Sequence, residues 1–265
     1  MLKPPLRVAV LTTHKAPGLD SLLQHPDRGV QWDLVGVMAS VRECRERALV
    51  EKAGVSFVVR DLRAFCRARG ARWSDLGARG TYDLGTIAHL RLWRAELVIL
   101  VGYLHIVTEP LLARFPERVV NLHDADLTIR GPGGVPTYRG LRSTRDAIVD
   151  GVAETRTTAH LVTAEVDEGP LLFRSWAFPT HPLLSDARRL GDVNTLKRQA
   201  YLQREWMMST AWGPLLAAVV EAFAGGNVRV LDHRAFVRES EGPIDLPEPV
   251  EAAPPLRRAA AGATR

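Results

Sequence analysis

An amide and an imidazole stand two positions apart in Asn121-Leu122-His123, at the end of an apolar segment. Side chains two apart on a strand point to the same face, so Asn121 and His123 should project together. An amide N–H stabilises a developing oxyanion and an imidazole moves a proton, and acyl transfer needs both. Asp167, in a tight turn before a Gly-Pro pair, is the candidate that orients the imidazole. The same spacing also fits a histidine that only caps the strand through backbone hydrogen bonds.

The region around this motif also offers ligands for a metal ion. Histidine and carboxylate side chains suit zinc or manganese, although no recognised metal spacing is present. A metal-dependent hydrolase is therefore the alternative of a different class, and a catalytically silent binding module is a third. We interpret His160 as a satisfied sheet histidine rather than a catalytic one. The candidate ligands are His14, His123, Asp124, Asp126, His160 and Asp167.

Short apolar segments alternate with amphipathic ones through the first hundred residues. This alternation predicts βαβ units with a parallel sheet, hence a Rossmann-like N-terminal half over about residues 1–105. In such sheets ligands bind beyond the carboxyl ends of the strands, where the motifs above fall. The pattern predicts strands over 6–11, 33–38, 55–59 and 97–101, and helices over 18–24, 42–53, 62–69 and 82–94.

The second half has fewer apolar runs and more turn residues. It predicts a strand over 119–122, a loop over 124–142 and a short helix over 143–148. β-rich segments at 155–163 and 171–178 precede a long helical pattern over about 186–223 and a last strand over 228–231. From residue 239 the composition is rich in Pro, Glu, Ala and Arg, which predicts a disordered tail over 239–265.

The overall composition is that of a soluble globular protein, with 265 residues, 46% hydrophobic and 25% charged. The net charge is +5, and the arginines are interleaved with acids, as on a solvated helix surface rather than a nucleic-acid-binding patch. Two cysteines without a CxxC spacing indicate free thiols in a reducing compartment. With no apolar run near 18 residues and no signal-peptide pattern, we expect a cytoplasmic protein that binds neither membrane nor nucleic acid.

Several motifs, taken together in order, resemble those of the folate-dependent formyltransferases, and most closely the type that acts on glycinamide ribonucleotide. The resemblance implies an α/β, Rossmann-like formyltransferase fold: a mostly parallel twisted sheet with helices on both faces, as a catalytic domain over residues 1–238. It covers roughly residues 6–178 and, more loosely, the helix that follows. The motifs are Asn121-Leu122-His123, Tyr138-Arg139-Gly140-Leu141, Ala147-Ile148 and the segment 157–170, which includes Asp167-Glu168-Gly169-Pro170.

What the resemblance implies is transfer of a formyl group from 10-formyltetrahydrofolate to an amine, without a metal. Asn121, His123 and Asp167 match the family's catalytic trio. His123 and Asn121 would stabilise the oxyanion, and Asp167 would orient His123 and help relay a proton. The implied folate-binding residues are Leu104, His105, Ile106, Val107, Thr163, Glu165 and Val166, and the implied substrate-binding residues are Lys15, Gly18, Tyr138 and Arg139.

Three departures from the family pattern bear on the acceptor. The segment after His123 lacks the family's prolines, an insertion spans 129–137, and the loop after the first strand, 13–18, lacks the family's phosphate-binding sequence. Glycinamide ribonucleotide of purine biosynthesis is the leading acceptor. The alternatives are another amine, such as an amino sugar or an amino acid, and water, which would make the protein a formyltetrahydrofolate hydrolase. We expect a small-molecule amine substrate and a monomer or homodimer.

Overall fold

The computed structural model describes residues 4–248 and contains five parallel strands in its first half. These strands are short and mostly apolar, as expected of a parallel sheet that helices cover on both faces. The strand order β3-β2-β1-β4-β5 is that of a doubly wound sheet. The strands are β1 (Leu6–Thr12), β2 (Trp32–Ala39), β3 (Ser56–Val59), β4 (Leu97–Leu100) and β5 (Val119–His123).

Five helices connect and cover these strands. Two of them begin where an aspartate accepts hydrogen bonds from the first free backbone N–H groups: Asp61 from Ala64, and Asp75 from Gly77 and Ala78. The helices are α1 (Leu19–Leu23), α2 (Arg47–Lys52), α3 (Leu62–Arg67), α4 (Leu76–Leu92) and α5 (Glu109–Arg114).

The second half adds antiparallel strands, a hairpin and a long helix. Its helices are α6 (Ser143–Asp150), α7 (Leu184–Arg189) and α8 (Val193–Ala224). Its strands are β6 (Glu154–Thr155), β7 (Thr158–Leu161), β8 (Leu171–Arg174), β9 (Phe178–Pro179), β10 (Val228–Leu231), β11 (Arg234–Val237), β12 (Ser240–Glu241) and β13 (Ile244–Asp245).

The main sheet has eight strands in the order β13-β8-β7-β5-β4-β1-β2-β3, and its polarity reverses between β5 and β7. At this reversal the cross-strand register pairs Asn121 with His160 and His123 with Thr158. Paired residues on one face of a sheet lie close together. The reversal therefore brings a second histidine beside the amide of the predicted motif.

Apolar residues on both faces of the sheet form the core. Val8 and Val10 face one side with α1 and α8, whereas Ala9 and Leu11 face the other side with α4 and α5. Within residues 4–248, α8 is the one helix long and apolar enough to cross a membrane by length and composition. However, 61% of its apolar 18-residue segment is buried inside the protein, as expected of a core helix.

Several predicted boundaries differ from the structure. The helix predicted over 42–53 is only α2, because the backbone before it bonds to the first loop: the Arg45 N–H donates to the His14 carbonyl. The helix predicted from residue 82 begins at Leu76, since Asp75 caps it despite two glycines in its first turns. The pattern over 186–223 is two helices, separated at Gly191, which has a φ of 67°.

The prediction of a disordered tail over 239–265 is wrong for its first part. Residues 240–245 contain β12 and β13, and β13 pairs in parallel with β8 at the edge of the main sheet. Asp245 is anchored there by both Nε and Nη2 of Arg174, at 2.7 and 2.8 Å. A domain boundary at residue 238 would therefore cut the sheet. Residues 249–265 lie outside the described part of the chain.

Candidate active site

A cavity of about 560 Å³ opens at the carboxyl ends of β4 and β5. This is the position at which doubly wound sheets bind ligands. Residues from both halves of the chain line it, so the site is assembled by the whole sheet. The lining comprises Trp73, Arg79, Leu100, residues 102–107, residues 121–124, Gly140, Leu141, Ser143, His160, residues 162–167, Arg204 and Trp212.

The three residues predicted as a catalytic trio lie together on one wall of this cavity. Asn121 and His123 project from β5, and Asp167 reaches them from the turn after β7. The Asn121 Nδ2 lies 3.5 Å from Asp167 Oδ1, and the His123 Nδ1 lies 3.4 Å from Asp167 Oδ2. Both separations are longer than an ordinary hydrogen bond. Catalytic hydrogen bonds are often long before substrate binds and shorten in the complex.

The turn that carries Asp167 has an unusual backbone. Asp167 itself adopts a left-handed conformation with a φ of 57°, which aspartate tolerates better than most residues. Two positions later, a Cβ on Gly169 would stand 1.8 Å from the Leu161 carbonyl oxygen, so only glycine fits. This close approach holds the turn against β7 and fixes where the carboxylate points.

Asp167 is ionised at neutral pH. Burial alone would raise its pKa, but the hydrogen bond with His160, the His123 ring and the backbone N–H of Gly140 outweigh burial. Together they hold the pKa of Asp167 well below its usual range. The Gly140 N–H donates to Oδ2 at 2.8 Å. A buried carboxylate therefore stands beside the imidazole at any pH at which the protein works.

His123 is held between two acceptors. Its Nε2 donates to the Tyr138 carbonyl oxygen at 3.0 Å, since a carbonyl can only accept, and its Nδ1 faces Asp167. Burial lowers the pKa of His123, and the Asp167 charge offsets only part of that effect. With Nε2 bound to the carbonyl oxygen, Nδ1 is the ring nitrogen that can exchange a proton beside Asp167. A proton that arrives at Nδ1 forms an ion pair with Asp167.

His160 belongs to the same polar cluster, which the sequence interpretation missed. Its Nδ1 lies 2.8 Å from the Leu161 carbonyl oxygen, and its Nε2 lies 3.2 Å from Asn121 Nδ2 and 3.5 Å from Asp167 Oδ1. The antiparallel pairing of β5 with β7 places His160 opposite Asn121. The pairing of two distant strands is not readable from either strand alone.

The residues predicted to bind folate all line the cavity. Residues 104–107 follow β4, and Thr163, Glu165 and Val166 lie in the turn that faces them. The loop after β4 is fixed by the Leu104 N–H, which donates to Thr13 Oγ1 at 3.0 Å. Within the described residues, the two ring nitrogens of His105 are buried without a hydrogen-bond partner. Buried polar atoms of this kind are available to a ligand.

The residues predicted to bind the amine are distributed differently. Lys15 is paired with Glu205 of α8 at 2.6 Å and does not line the cavity. Gly18 packs against α8, where a Cβ would stand 2.5 Å from the Gly213 nitrogen, and this contact explains the glycine. Tyr138 contacts His123 through its carbonyl oxygen, whereas Arg139 is paired with Glu168 at the rim.

The lining includes a polar group that was not predicted as catalytic, folate-binding or substrate-binding. Asp124 follows His123 directly and is buried, and it accepts hydrogen bonds from Arg204 and Trp212 of α8. α8 lies 80 residues further along the chain, and its apolar pattern does not reveal which side chains reach a cavity. An acidic residue inside a buried segment was the one available signal.

Two of the three carboxylates proposed as metal ligands already have cationic partners. Asp124 is paired with Arg204, and Asp126 is paired with Arg174, each at 2.8 Å. Within residues 4–248, the group of three side chains whose ligand atoms lie close enough for one ion is His25, Asp27 and Glu221. That group lies outside the cavity lining. The His25 Nδ1 there accepts the Asp27 N–H at 3.2 Å and its Nε2 faces Glu221, so the histidine already has protein partners.

The fold and the site define a family of proteins. The model of the formyl transferase family matches residues 6–204, which include β1 to β5, Asn121, His123 and Asp167. The chain belongs to this family.

Relatives within the family carry different names. A phosphoribosylglycinamide formyltransferase of Mycobacterium tuberculosis is 30% identical over 173 residues, which cover 63% of this chain and 69% of that protein. The trifunctional purine biosynthetic protein adenosine-3 of Drosophila pseudoobscura pseudoobscura is 25% identical over 223 residues. The match covers 75% of this chain and only 15% of that much longer protein.

Solved structures show the same fold at lower identity. Glycinamide ribonucleotide transformylase 1 of Symbiobacterium toebii superimposes with a TM-score of 0.62 at 24% identity, covering 88% of this chain and 94% of that one. A formyltetrahydrofolate deformylase of Burkholderia mallei gives the same TM-score at 21% identity, covering 88% and 70%. The Rossmann-like formyltransferase fold is thereby confirmed.

Proposed function

We propose that this protein transfers a formyl group from 10-formyltetrahydrofolate to an amine. The observation that carries the proposal is the convergence of Asn121, His123 and Asp167 on one wall of the cavity. The family membership and the names of the relatives support the same reaction. Folate would lie against the loop of residues 104–107, which lines the cavity.

The chemistry follows from the positions of the polar atoms. The amine nitrogen attacks the formyl carbon, a C–N bond forms, and the carbonyl oxygen becomes an oxyanion. The Asn121 amide donates a hydrogen bond to that oxygen. His123 accepts the proton that the attacking amine loses at Nδ1, where Asp167 stabilises the resulting imidazolium. The bond between the formyl carbon and the folate nitrogen then breaks, and the proton passes to that nitrogen.

Glycinamide ribonucleotide is the first acceptor to test, because two relatives carry its name. The pairing of Lys15 with Glu205 removes the cation that the loop after β1 offers a phosphate, and this observation favours the alternative of another amine. Hydrolysis remains the second candidate function, since water can take the place of the amine in the same site.

The deciding experiment follows formyl loss from 10-formyltetrahydrofolate with and without glycinamide ribonucleotide. We expect turnover that requires an amine, and a fall in kcat of about 10²–10³ in Asn121→Ala and in His123→Ala. Arg198→Gln, an exposed substitution on α8, serves as the matched control and should keep full activity. Turnover without any amine would replace the transferase by a hydrolase. Full activity in both site variants would overturn the assignment of the catalytic residues.

A further inference from the structure

Arg204 presents unused hydrogen-bond donors to the cavity. Its guanidinium lines the cavity from α8 and is anchored through Nε, which donates to Asp124 Oδ2 at 2.8 Å. Within the described part of the chain, neither of its terminal nitrogens makes a hydrogen bond. The side chain is about one-third exposed, at 35%. Four N–H groups of a planar guanidinium are thus directed to a ligand or to solvent.

The anchor of this arginine is a buried carboxylate. Asp124 is 4% exposed, and its Oδ1 accepts the indole N–H of Trp212 at 2.8 Å. Burial raises the pKa of Asp124, and the Arg204 charge with the Trp212 hydrogen bond opposes that rise. A buried charge is costly unless paired, so the pair fixes Arg204 in one orientation. His123, Asp124 and Arg204 all line the cavity, so the guanidinium lies in the same cavity as the proposed catalytic histidine.

The other basic side chains around the site are already engaged elsewhere. Lys15 is paired with Glu205, and Arg139 with Glu168. Arg79 lines the cavity on the side of the β4 loop, but its Nε donates to the Trp73 carbonyl oxygen and its guanidinium stacks on the Trp73 ring. Arg204 is therefore the cation on the α8 side of the cavity with donors to spare.

We propose that Arg204 binds an oxyanion group, a carboxylate or a phosphate, on the acceptor amine, with Asp124 as the residue that positions it. This inference rests on the proposed transfer to an amine and names the class of acceptor. Guanidinium groups bind carboxylates and phosphates through two parallel N–H donors, and the two terminal nitrogens of Arg204 present such a pair. Acceptors without the anionic group would lose this contact while keeping the same chemistry.

The test compares pairs of amines that differ only in one anionic group. Glycinamide ribonucleotide is set against glycinamide riboside, and glucosamine 6-phosphate against glucosamine, for phosphate. Glycine against glycinamide and alanine against alaninamide test for carboxylate. Dissociation constants are measured by calorimetry and steady-state kinetics are measured at saturating 10-formyltetrahydrofolate, with the wild type, Arg204→Gln, Arg204→Lys and the control Arg198→Gln.

We expect the wild type to favour the anionic member of at least one set by about 10- to 100-fold, from the usual strength of a charge-assisted hydrogen bond. Arg204→Gln should reduce that preference to about threefold or less through KM, Arg204→Lys should restore part of it, and donor binding should not change. The set that shows the preference identifies phosphate or carboxylate.

Two results would overturn the inference: a wild type without preference in any pair, or a preference that Arg204→Gln leaves intact. If the anionic members bind in an Arg204-dependent way but receive no formyl group, the anion site stands and the proposed transfer fails. If transfer occurs and Arg204→Gln affects both members of each pair equally, the transfer stands and the anion site fails.

Discussion

Two histidines in this site differ in whether their surroundings stabilise the protonated ring. His123 can gain a proton at Nδ1 beside an ionised aspartate, which makes its imidazolium attainable during the reaction despite burial. His105 has no such partner. Burial, with Arg79, Arg63 and His14 nearby, lowers the pKa of His105 to about 4. In the proposed reaction the first histidine would change charge during turnover, whereas the second would remain neutral.

The depressed pKa of His105 makes a testable contribution to stability. Between pH 6.5 and about 4 the unfolded chain takes up a proton at this residue that the folded protein refuses. The free energy of unfolding should therefore be highest above pH 6.5 and fall as the pH is lowered through that range. In His105→Gln this part of the decline should be absent.

Urea unfolding of both proteins at several pH values from 7.5 to 4 measures the effect. The two stability profiles should approach each other as the pH falls, on whichever side of the wild type the variant starts at pH 7.5. Profiles that stay parallel over the whole range would show that His105 titrates normally in the folded protein.

At this scale the sequence predicted which residues of the loops and of β5 line the cavity better than it predicted their polar neighbours. Asn121, His123 and Asp167 form the predicted cluster, because the first two are neighbours on a strand and the third precedes a glycine that only one turn geometry explains. Arg204 was missed as a site residue, and Asp124 and His160 were considered only as ligands in the alternative of a metal site. Their roles depend on contacts between distant segments, and a side chain's own residue type says nothing about which distant segment it meets.

Among the elements, the turn after β7 has the least freedom to change. The Cβ of an alanine at Gly169 would collide with the Leu161 backbone, so Gly169→Ala must displace either the turn or β7. We expect a loss of about 1–3 kcal/mol in the free energy of unfolding, as for other overpacked sites. The kcat of the folded variant should also fall, since Asp167 moves with the turn.

Gly80→Ala is the matched substitution for comparison. Gly80 lies inside α4, where the nearest atom to a new Cβ is 4.0 Å away, and alanine in a helix is favoured over glycine. Chemical denaturation and kcat should show this variant at or above the wild type. A Gly169→Ala protein with normal stability and kcat would mean that the turn can shift without moving the carboxylate.

Elements were predicted unevenly, and the reasons are local. β1, β4 and β5 are rich in aliphatic residues and were found within two residues of their bounds. The start of α4 was missed because Gly77 and Gly80 resemble a break, whereas the Asp75 cap outweighs them. β13 was missed because two residues in a Pro-rich segment carry no period, and its pairing depends on Arg174 of another strand.

For the molecule as a whole, the cavity joins the two halves of the chain. The loops after β4 and β5 contribute to its lining together with the turn after β7 and with α8. A folate analogue that occupies it should stabilise both halves at once. At 100 times its dissociation constant the analogue should add about 2.7 kcal/mol to the free energy of unfolding.

Calorimetric unfolding with and without a 10-formyl folate analogue tests this expectation. One transition should shift to higher temperature as a unit, and Ile106→Arg, which places a charge in the lining, should abolish the shift. Two transitions of which only one moves would show that the analogue binds within a single half of the chain.

The separation between the β4 loop and α8 has a consequence for how such proteins diversify. Residues that would hold the one-carbon donor lie on loops of the sheet. The arginine that would bind the acceptor lies on one face of a core helix, and its side chain is hydrogen-bonded to the carboxylate of Asp124 after β5. Under the proposed function, replacements on that face would alter which amine is accepted and leave the donor loops unchanged, provided that Asp124 keeps a partner for its buried charge. A lineage built on this plan inherits its chemistry intact while its choice of substrate drifts.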